Sequence, residues 1–236
     1  MTDLSFVVPA YNEAQHLPAT LAALRKAGEA SGRSWEIVVT DNASTDATAE
    51  LARAHGARVV AEPFRQIARA RNRGAAEASG RYLLFVDADT LISTTLAHAA
   101  LEALDSGKVV GGGSVLQFDG KGLLPRLLIA PWNLASRHLR LAAGSFVFCL
   151  KEAWVESGGF DERLYASEEI WFSLALKRWG KPRALSFEVL EGNPPQTSAR
   201  KVKGWGTAGF LLQFLLLNLR PWLLRSRRAC FLWYRR

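Results

Sequence analysis

Residues 81–90, RYLLFVDADT, constrain this chain more than any other stretch. The run Tyr82-Leu83-Leu84-Phe85-Val86 is short and rich in residues that suit a pleated surface. Gly80 precedes it and acids follow it, so it reads as a buried strand. On a strand, alternate side chains project to one face, which puts Asp87 and Asp89 on the same side. Buried carboxylates are unfavourable unless paired or bound to a cation, and open α/β sheets bind ligands where their strands end. Two acids there, with no basic residue between them, suit a hard divalent cation. Magnesium typically takes one or two carboxylates and completes its shell with substrate phosphates. The competing reading is structural, a strand end whose acids start the next helix at Thr90 or Ser93. This stretch alone does not separate the two.

A chain of 236 residues buries one substantial core. Cys149 and Cys230 are far apart and form no CxxC, and His16, His55, His98 and His138 show no metal-ligand spacing. The N-terminal MTDLSFVVPAYNE lacks the basic and long apolar regions of a secretory signal, so a reducing, cytoplasmic setting is expected. The net charge of +8 is unevenly placed. Of 30 Lys and Arg, nine lie beyond residue 198, where there is no acid; the first 198 residues hold 21 basic against 22 acidic residues, a net of −1. A generally basic nucleic-acid binder is therefore disfavoured, and a local anionic partner of the tail is favoured.

Strand and helix patterns alternate. Residues 4–8 read as a strand stopped by Pro9, and a helix carries Leu17, Leu21 and Leu24. Residues 35–40 (WEIVVT) form a second strand, followed by the polar loop Asp41-Asn42-Ala43-Ser44-Thr45-Asp46, in which Thr45 or Asp46 caps the helix bearing Leu51. A short strand at 58–61 and a basic helix from Arg65 lead into the DAD strand. This order predicts a mainly parallel sheet with right-handed crossovers. Downstream come a helix near 96–104, a glycine-rich strand from Val109 through Val115 to Phe118, and an apolar-basic stretch at 122–141 broken by Pro125 and Pro131. A strand at 145–150, a Gly158-Gly159 turn and a helix from Glu168 complete the pattern.

Several motifs recur in order: Pro9-Ala10-Tyr11-Asn12-Glu13 after the first strand, Asp41 with Ser44-Thr45-Asp46 after the second, and Arg69-Ala70-Arg71-Asn72-Arg73-Gly74 before the third motif, Asp87-Ala88-Asp89. Gly158-Gly159-Phe160-Asp161-Glu162 and Glu168-Glu169 follow. Each is weak alone, but together, from about residue 4 to 201, they resemble the family 2 inverting glycosyltransferases. That resemblance implies an α/β, GT-A (Rossmann-like) fold with a mainly parallel central sheet flanked by helices. It also implies transfer of a sugar from a nucleoside-diphosphate sugar to an acceptor hydroxyl.

By resemblance, Pro9, Ala10, Tyr11 and Glu13 line the base and ribose site, and Asp41 reads the base edge. A carboxylate accepting from an imide N–H suits uracil, which favours a UDP-sugar, and could also serve guanine; Asp is also a common turn former. Arg71, or else Arg69, is the expected phosphate partner, with Asn72 in the same nucleotide-binding segment. Asp87 and Ala88 lie near the ribose, and Asp89, with Asp87, holds Mn2+ or Mg2+. Glu169 is the expected general base and Glu168 its alternative; acids in a first helical turn also suit the helix dipole. Two departures stand out: no histidine follows His138 to serve as a late metal ligand, and the QxxRW of processive synthases is absent. Thr197-Ser198-Ala199-Arg200-Lys201 resembles a segment of short, non-processive members, with Arg200 or Lys201 near the diphosphate.

The division expected is a catalytic domain over 1–203 and an apolar, basic tail over 204–236. Residues 207–219 are apolar but too short to span a bilayer, and read either as an interfacial helix or as one packed on the domain or in a homodimer. Residues 220–236 favour peripheral contact with an anionic membrane on the cytoplasmic side, which points to a lipid-linked acceptor. The alternatives are an inactive, membrane-attached nucleotide-binding partner and a nucleotidyltransferase. The lack of a glycine-rich phosphate loop after the first strand weighs against the latter.

Overall fold

The computed structural model of the chain describes residues 2–118, 123–198 and 221–234. Its frame is a seven-stranded sheet in the order β3-β2-β1-β4-β8-β6-β9, made of β1 (Leu4–Ala10), β2 (Trp35–Asp41), β3 (Arg58–Ala61), β4 (Tyr82–Val86), β6 (Val109–Ser114), β8 (Phe146–Leu150) and β9 (Ser186–Leu190). Pairings β1–β2, β1–β4, β2–β3 and β6–β9 are parallel, and β8 runs antiparallel between β4 and β6. A small second sheet joins β5 (Thr90–Leu91), β10 (Gln196–Thr197) and β7 (Gln117–Phe118). The fold is the mixed α/β architecture with a mostly parallel central sheet that the alternation of patterns predicts.

Both faces of the large sheet are covered, so its strands read as continuous apolar runs. Phe6, Val8, Leu84 and Val86 pack with Leu17, Leu21 and Leu24 of α1 (Leu17–Ala30) and with Leu96, Leu101 and Leu104 of α4 (Thr94–Asp105). The alternate residues Val7, Leu83 and Phe85 face α3 (Ile67–Glu77) and α7 (Glu168–Gly180), through Ala68, Ala75, Phe172 and Leu176. On α3 the small residues allow a close approach. A Cβ on Gly74 would lie 2.6 Å from both Thr40 Oγ1 and Val7 Cγ1. Two short helices, α2 (Thr48–Ala54) and α6 (Lys151–Ser157), complete the layers.

Several boundaries differ from expectation. Pro9 does not stop β1, which continues to Ala10 beside β2. The pairing with β4 ends at Val7, so Pro9 sits where one side of β1 is open and a missing N–H is tolerated. The glycine-rich strand ends at Ser114 with an irregularity between Val109 and Gly111, and Gln117–Phe118 joins the other sheet. Residues 123–139 form one helix, α5 (Leu123–Leu139), despite two prolines. Pro125 falls in the first turn, where N–H groups have no intrahelical partner, and Pro131 removes a single interior bond. Asn133 ties α5 to the β6–β7 link, accepting from Leu116 N–H at 2.9 Å and donating to Leu116 O at 3.0 Å.

The described part of the tail is not a separate appendage. After a 3-10 turn at Pro221–Arg225 and a short helix α8 (Phe231–Tyr234), Leu224 and Cys230 are buried against Leu164 and Ala166. Tyr165 N–H donates to Leu224 O at 2.7 Å. Trp222, at 65% exposure, points away from this contact. The 203/204 boundary and the 207–219 apolar stretch lie outside the described residues. Among the described residues, no helix is long and apolar enough to cross a membrane.

Candidate active site

The site forms at the C-terminal ends of β1, β2 and β4, where the loops of an open α/β sheet converge. The first two loops are stapled together. Asn12, in the left-handed region at φ 50°, donates its N–H to Ser44 Oγ at 3.0 Å and accepts from Thr45 N–H through Oδ1 at 2.8 Å. Glu13 N–H donates to Thr48 Oγ1 at 2.8 Å, and Ala14 N–H to Asp46 Oδ2 at 3.2 Å. Asp46 Oδ1 also accepts from Thr48 N–H at 3.0 Å, a local turn just ahead of α2; the N-cap is Ala47, which has no capping side chain, so neither Thr45 nor Asp46 caps this helix. The Ser44-Thr45-Asp46 motif is thereby explained as the brace that holds the first loop in place.

The DAD motif is not on a strand. β4 ends at Val86, and residues 87–89 form a turn closed by Thr90 N–H donating to Asp87 O at 3.0 Å. The period-two argument therefore does not apply, yet both aspartates still line one cleft, with Ala88 between them. The structural alternative can also be judged. Helix α4 is capped by Ser93, whose Oγ accepts from Leu96 N–H at 3.0 Å, so neither aspartate is needed to start it. Thr197 Oγ1 lies 3.2 Å from the Oγ1 of Thr90, the residue after Asp89, which brings the strand leading to Arg200 beside the motif. Arg200 and Lys201 lie outside the described residues.

Arg71 joins this turn to the paired glutamates. Its side chain is 1% exposed. Nη2 donates to Asp87 Oδ1 at 2.9 Å and to Gly144 O at 2.7 Å, and Nη1 donates to Glu168 Oε1 at 2.5 Å. Glu168, 3% exposed, opens α7 after Ser167, which is left-handed at φ 59°. Glu169 lies beside Gly144: a Cβ added there would meet Arg71 Nη2 at 3.0 Å and Glu169 Cδ at 3.5 Å. Ser173 fixes this corner, accepting from Ala142 N–H at 3.0 Å and donating to Glu169 O at 2.8 Å. Burial, followed by the neighbouring Glu168 carboxylate, pushes the Glu169 carboxyl up to about 8, while Arg71 pulls it down. One member of the acidic pair is thus an ion-pair partner of Arg71 and the other a carboxyl raised above the usual carboxylate range.

Pro9, Ala10, Tyr11 and Glu13 all line the cleft that holds Asp87, Ala88 and Asp89. Three other candidates sit elsewhere. Arg71 lies beneath the cleft, engaged as above, and not as a surface phosphate contact. Asp41 accepts from Ser44 N–H at 3.1 Å, and its neighbour Asn42 lines the cleft instead. Asn72 is spent on the Phe160 backbone, donating to Phe160 O at 2.8 Å and accepting from Phe160 N–H at 2.9 Å, which pins the GGFDE turn.

Asn42, Arg65, Ile67, Ala70 and Tyr234 complete the cleft wall and were not among the expected site residues. Asn42 could have been found from its place beside Asp41 in the polar loop. Tyr234, 169 residues from its partner Arg65, leaves no local signal. The donor set suits a hard cation: two carboxylates on one turn, with Asp87 Oδ1 already shared with Arg71. Among the described residues, no cluster of three or more His, Cys, Asp or Glu could hold a metal alone. A cation here would draw most of its shell from substrate and water.

Comparison with known proteins agrees with this layout. The family described as Glycosyl transferase family 2 matches residues 5–151. An uncharacterized glycosyltransferase of Mycobacterium tuberculosis is 30% identical over 209 residues, covering 85% of this chain and 90% of that protein. The mannosyltransferase PcManGT of Pyrobaculum calidifontis, solved with GDP-Man and Mn2+, superposes with a TM-score of 0.68 at 18% identity, over 97% of this chain and 72% of that one. Glucosyl-3-phosphoglycerate synthase of Mycobacterium tuberculosis, solved with Mn2+, UDP and phosphoglyceric acid, gives a TM-score of 0.63 at 20% identity, over 92% and 78%. The chain belongs to glycosyl transferase family 2, and it is a glycosyltransferase built on the GT-A fold.

Proposed function

We propose that this glycosyltransferase moves a sugar from a nucleoside-diphosphate sugar to an acceptor hydroxyl with inversion, and that Glu169 is its general base. The observation that carries the reading is the network centred on Arg71. It couples the Asp87 end of the nucleotide cleft to the acidic pair at the start of α7, and leaves Glu169 as the carboxyl raised to about 8. Glu169 takes the acceptor proton as the hydroxyl oxygen attacks the anomeric carbon, and the nucleoside diphosphate departs from the opposite face. Glu168, held by Arg71, keeps the pair in register and does not act as the base.

Asp89 and Asp87 would hold Mn2+ or Mg2+, which when bound neutralises charge on the departing diphosphate. The first loop, Pro9 to Glu13, would cradle the nucleoside. Structural relatives carry uridine or guanosine nucleotides, so both are tested as donors. The exposed Trp222, Arg225, Arg227 and Arg228 support peripheral contact with anionic lipid and hence a lipid-linked acceptor.

A thermal-shift screen of UDP- and GDP-sugars, with and without Mn2+, tests the reading. One donor class should raise Tm in a Mn2+-dependent way, and Asp89→Ala should remove the Mn2+ dependence while melting like the wild type. No shift with any sugar nucleotide, or an unchanged metal response in the variant, would count against it.

A further inference from the structure

Three arginines approach or ride α3 on the cleft side of the sequence pattern, and the structure sends them to different places. Arg71 has both terminal nitrogens engaged below the cleft, by Glu168, Asp87 and Gly144. Arg69 turns to Glu62 and Glu162, at 3.6 and 3.5 Å, in a groove with Asn72 and Trp154. Arg65 lines the nucleotide cleft itself. Its guanidinium carbon lies 3.6 Å from the centroid of the Tyr11 ring, and Nη2 donates to the carbonyl of Tyr234 at 2.7 Å. Arg65 therefore lies over an aromatic face of the first loop, held there by the C-terminal segment.

The anchor at the other end is firm. Tyr234 stacks edge-on against Tyr165, with centroids 5.5 Å apart, and its hydroxyl accepts from Ile67 N–H at 3.5 Å. The segment behind it is fixed by the Tyr165–Leu224 backbone bond and by buried Leu224 and Cys230. Gln66, next to Arg65, donates through its side chain to Glu162 O at 2.6 Å and Leu164 O at 2.8 Å, and its backbone N–H donates to Asn42 Oδ1 of the cleft wall at 2.9 Å. The backbone at 65–66 is therefore held, so any movement of Arg65 toward a ligand is a side-chain pivot.

We infer that Arg65 is the donor-phosphate contact of this enzyme, parked on Tyr11 and the Tyr234 carbonyl until a nucleoside diphosphate enters. The inference rests on the nucleotide-sugar reading above. Guanidinium bonds to phosphate are charge-assisted and bidentate, and outcompete a bond to a neutral carbonyl. The same pivot uncovers the Tyr11 ring for the nucleoside. The C-terminal segment thus serves the donor site: it supplies Tyr234 as a wall and the carbonyl on which Arg65 rests.

Isothermal titration of the full chain with UDP and GDP in Mn2+, and with uridine and guanosine, tests this. Arg65→Gln keeps a donor for the Tyr234 carbonyl but removes the charge. It should weaken the preferred nucleoside diphosphate by about tenfold or more, the scale of a hydrogen bond to a charged group. It should leave nucleoside binding equal or tighter. Arg65→Lys should recover part of the loss, which guards against a variant that is merely poorly folded. Diphosphate affinity within about twofold of wild type in Arg65→Gln, or equal losses for nucleoside and diphosphate, would overturn the inference. Wild-type protein that binds neither UDP nor GDP would overturn the nucleotide reading together with it, so the two failures are distinguishable.

Discussion

Arg71→Met is the perturbation whose size follows most directly from the structure. Methionine keeps much of the apolar stem but leaves Glu168, 3% exposed, beside Glu169 with no cation between them. Gly144 O and Asp87 Oδ1 lose their donor as well. Removing one partner of a buried ion pair destabilises by about 3–5 kcal/mol, because the remaining charge is stranded. At roughly 2–4 °C per kcal/mol for a chain of this size, the melting temperature should fall by roughly 6–20 °C. Arg73, two residues on, offers an internal control. It is exposed and pairs with Glu77 at 3.1 Å, and Arg73→Ala should change stability by less than about 0.5 kcal/mol. Arg71→Lys should fall between, since one ammonium cannot serve three acceptors in the fixed fork of a guanidinium. Adding Glu168→Gln to Arg71→Met removes the stranded charge and should restore part of the loss. Denaturant unfolding and thermal melts of these four variants and of Glu168→Gln alone make the measurement. An Arg71→Met protein that melts within about 2 °C of wild type would refute the buried clamp. So would single-variant effects that simply add.

Three further outcomes follow. Glu169 must be ionised to accept a proton, and its carboxyl is raised to about 8, so kcat/KM should climb with pH through the neutral range and level off above about 8; a profile flat from pH 6 to 9, measured as nucleoside diphosphate release, would contradict this. By the same linkage, the folded state binds a proton at Glu169 that the unfolded chain releases above the ordinary glutamate value of 4.5, so that contribution to stability is full below 4.5 and is lost as pH rises through about 8. Gly74→Ala improves intrinsic helix propensity but drives a Cβ to 2.6 Å from Thr40 Oγ1 and Val7 Cγ1, so it should destabilise by about 1–3 kcal/mol in denaturant titration; a neutral or stabilising effect would show that α3 does not need its close approach to β1 and β2.

Much of the frame was legible because burial on both faces writes itself into the chain as apolar runs and helical periodicity. The short strand Arg58–Ala61 and the helix beginning at Glu168 were read at their boundaries. What local pattern could not show was contact across the chain. Pro9 looks like a stop until the pairing of β1 with β4 is known to end at Val7. The DAD aspartates looked strand-borne, although the turn that presents them is set by a bond from Thr90 N–H. Arg71 and Asn72 look like neighbours in one binding segment, but residues adjacent on a helix diverge by about 100°, and Arg71 reaches Asp87 and Glu168 while Asn72 is spent on the Phe160 backbone. The tail looked like a membrane appendage from its composition, and its packing on residues 164–166 depends on tertiary contacts that composition does not encode.

The most direct test of the central claim is the turnover of Glu169→Gln with the donor and acceptor that the wild type uses, paired with its affinity for that donor. Glutamine keeps the shape and cannot take a proton. The account predicts that kcat falls by about 10²–10⁴-fold while the donor dissociation constant and melting temperature stay near wild type. A variant that turns over within about tenfold of wild type would place the base elsewhere.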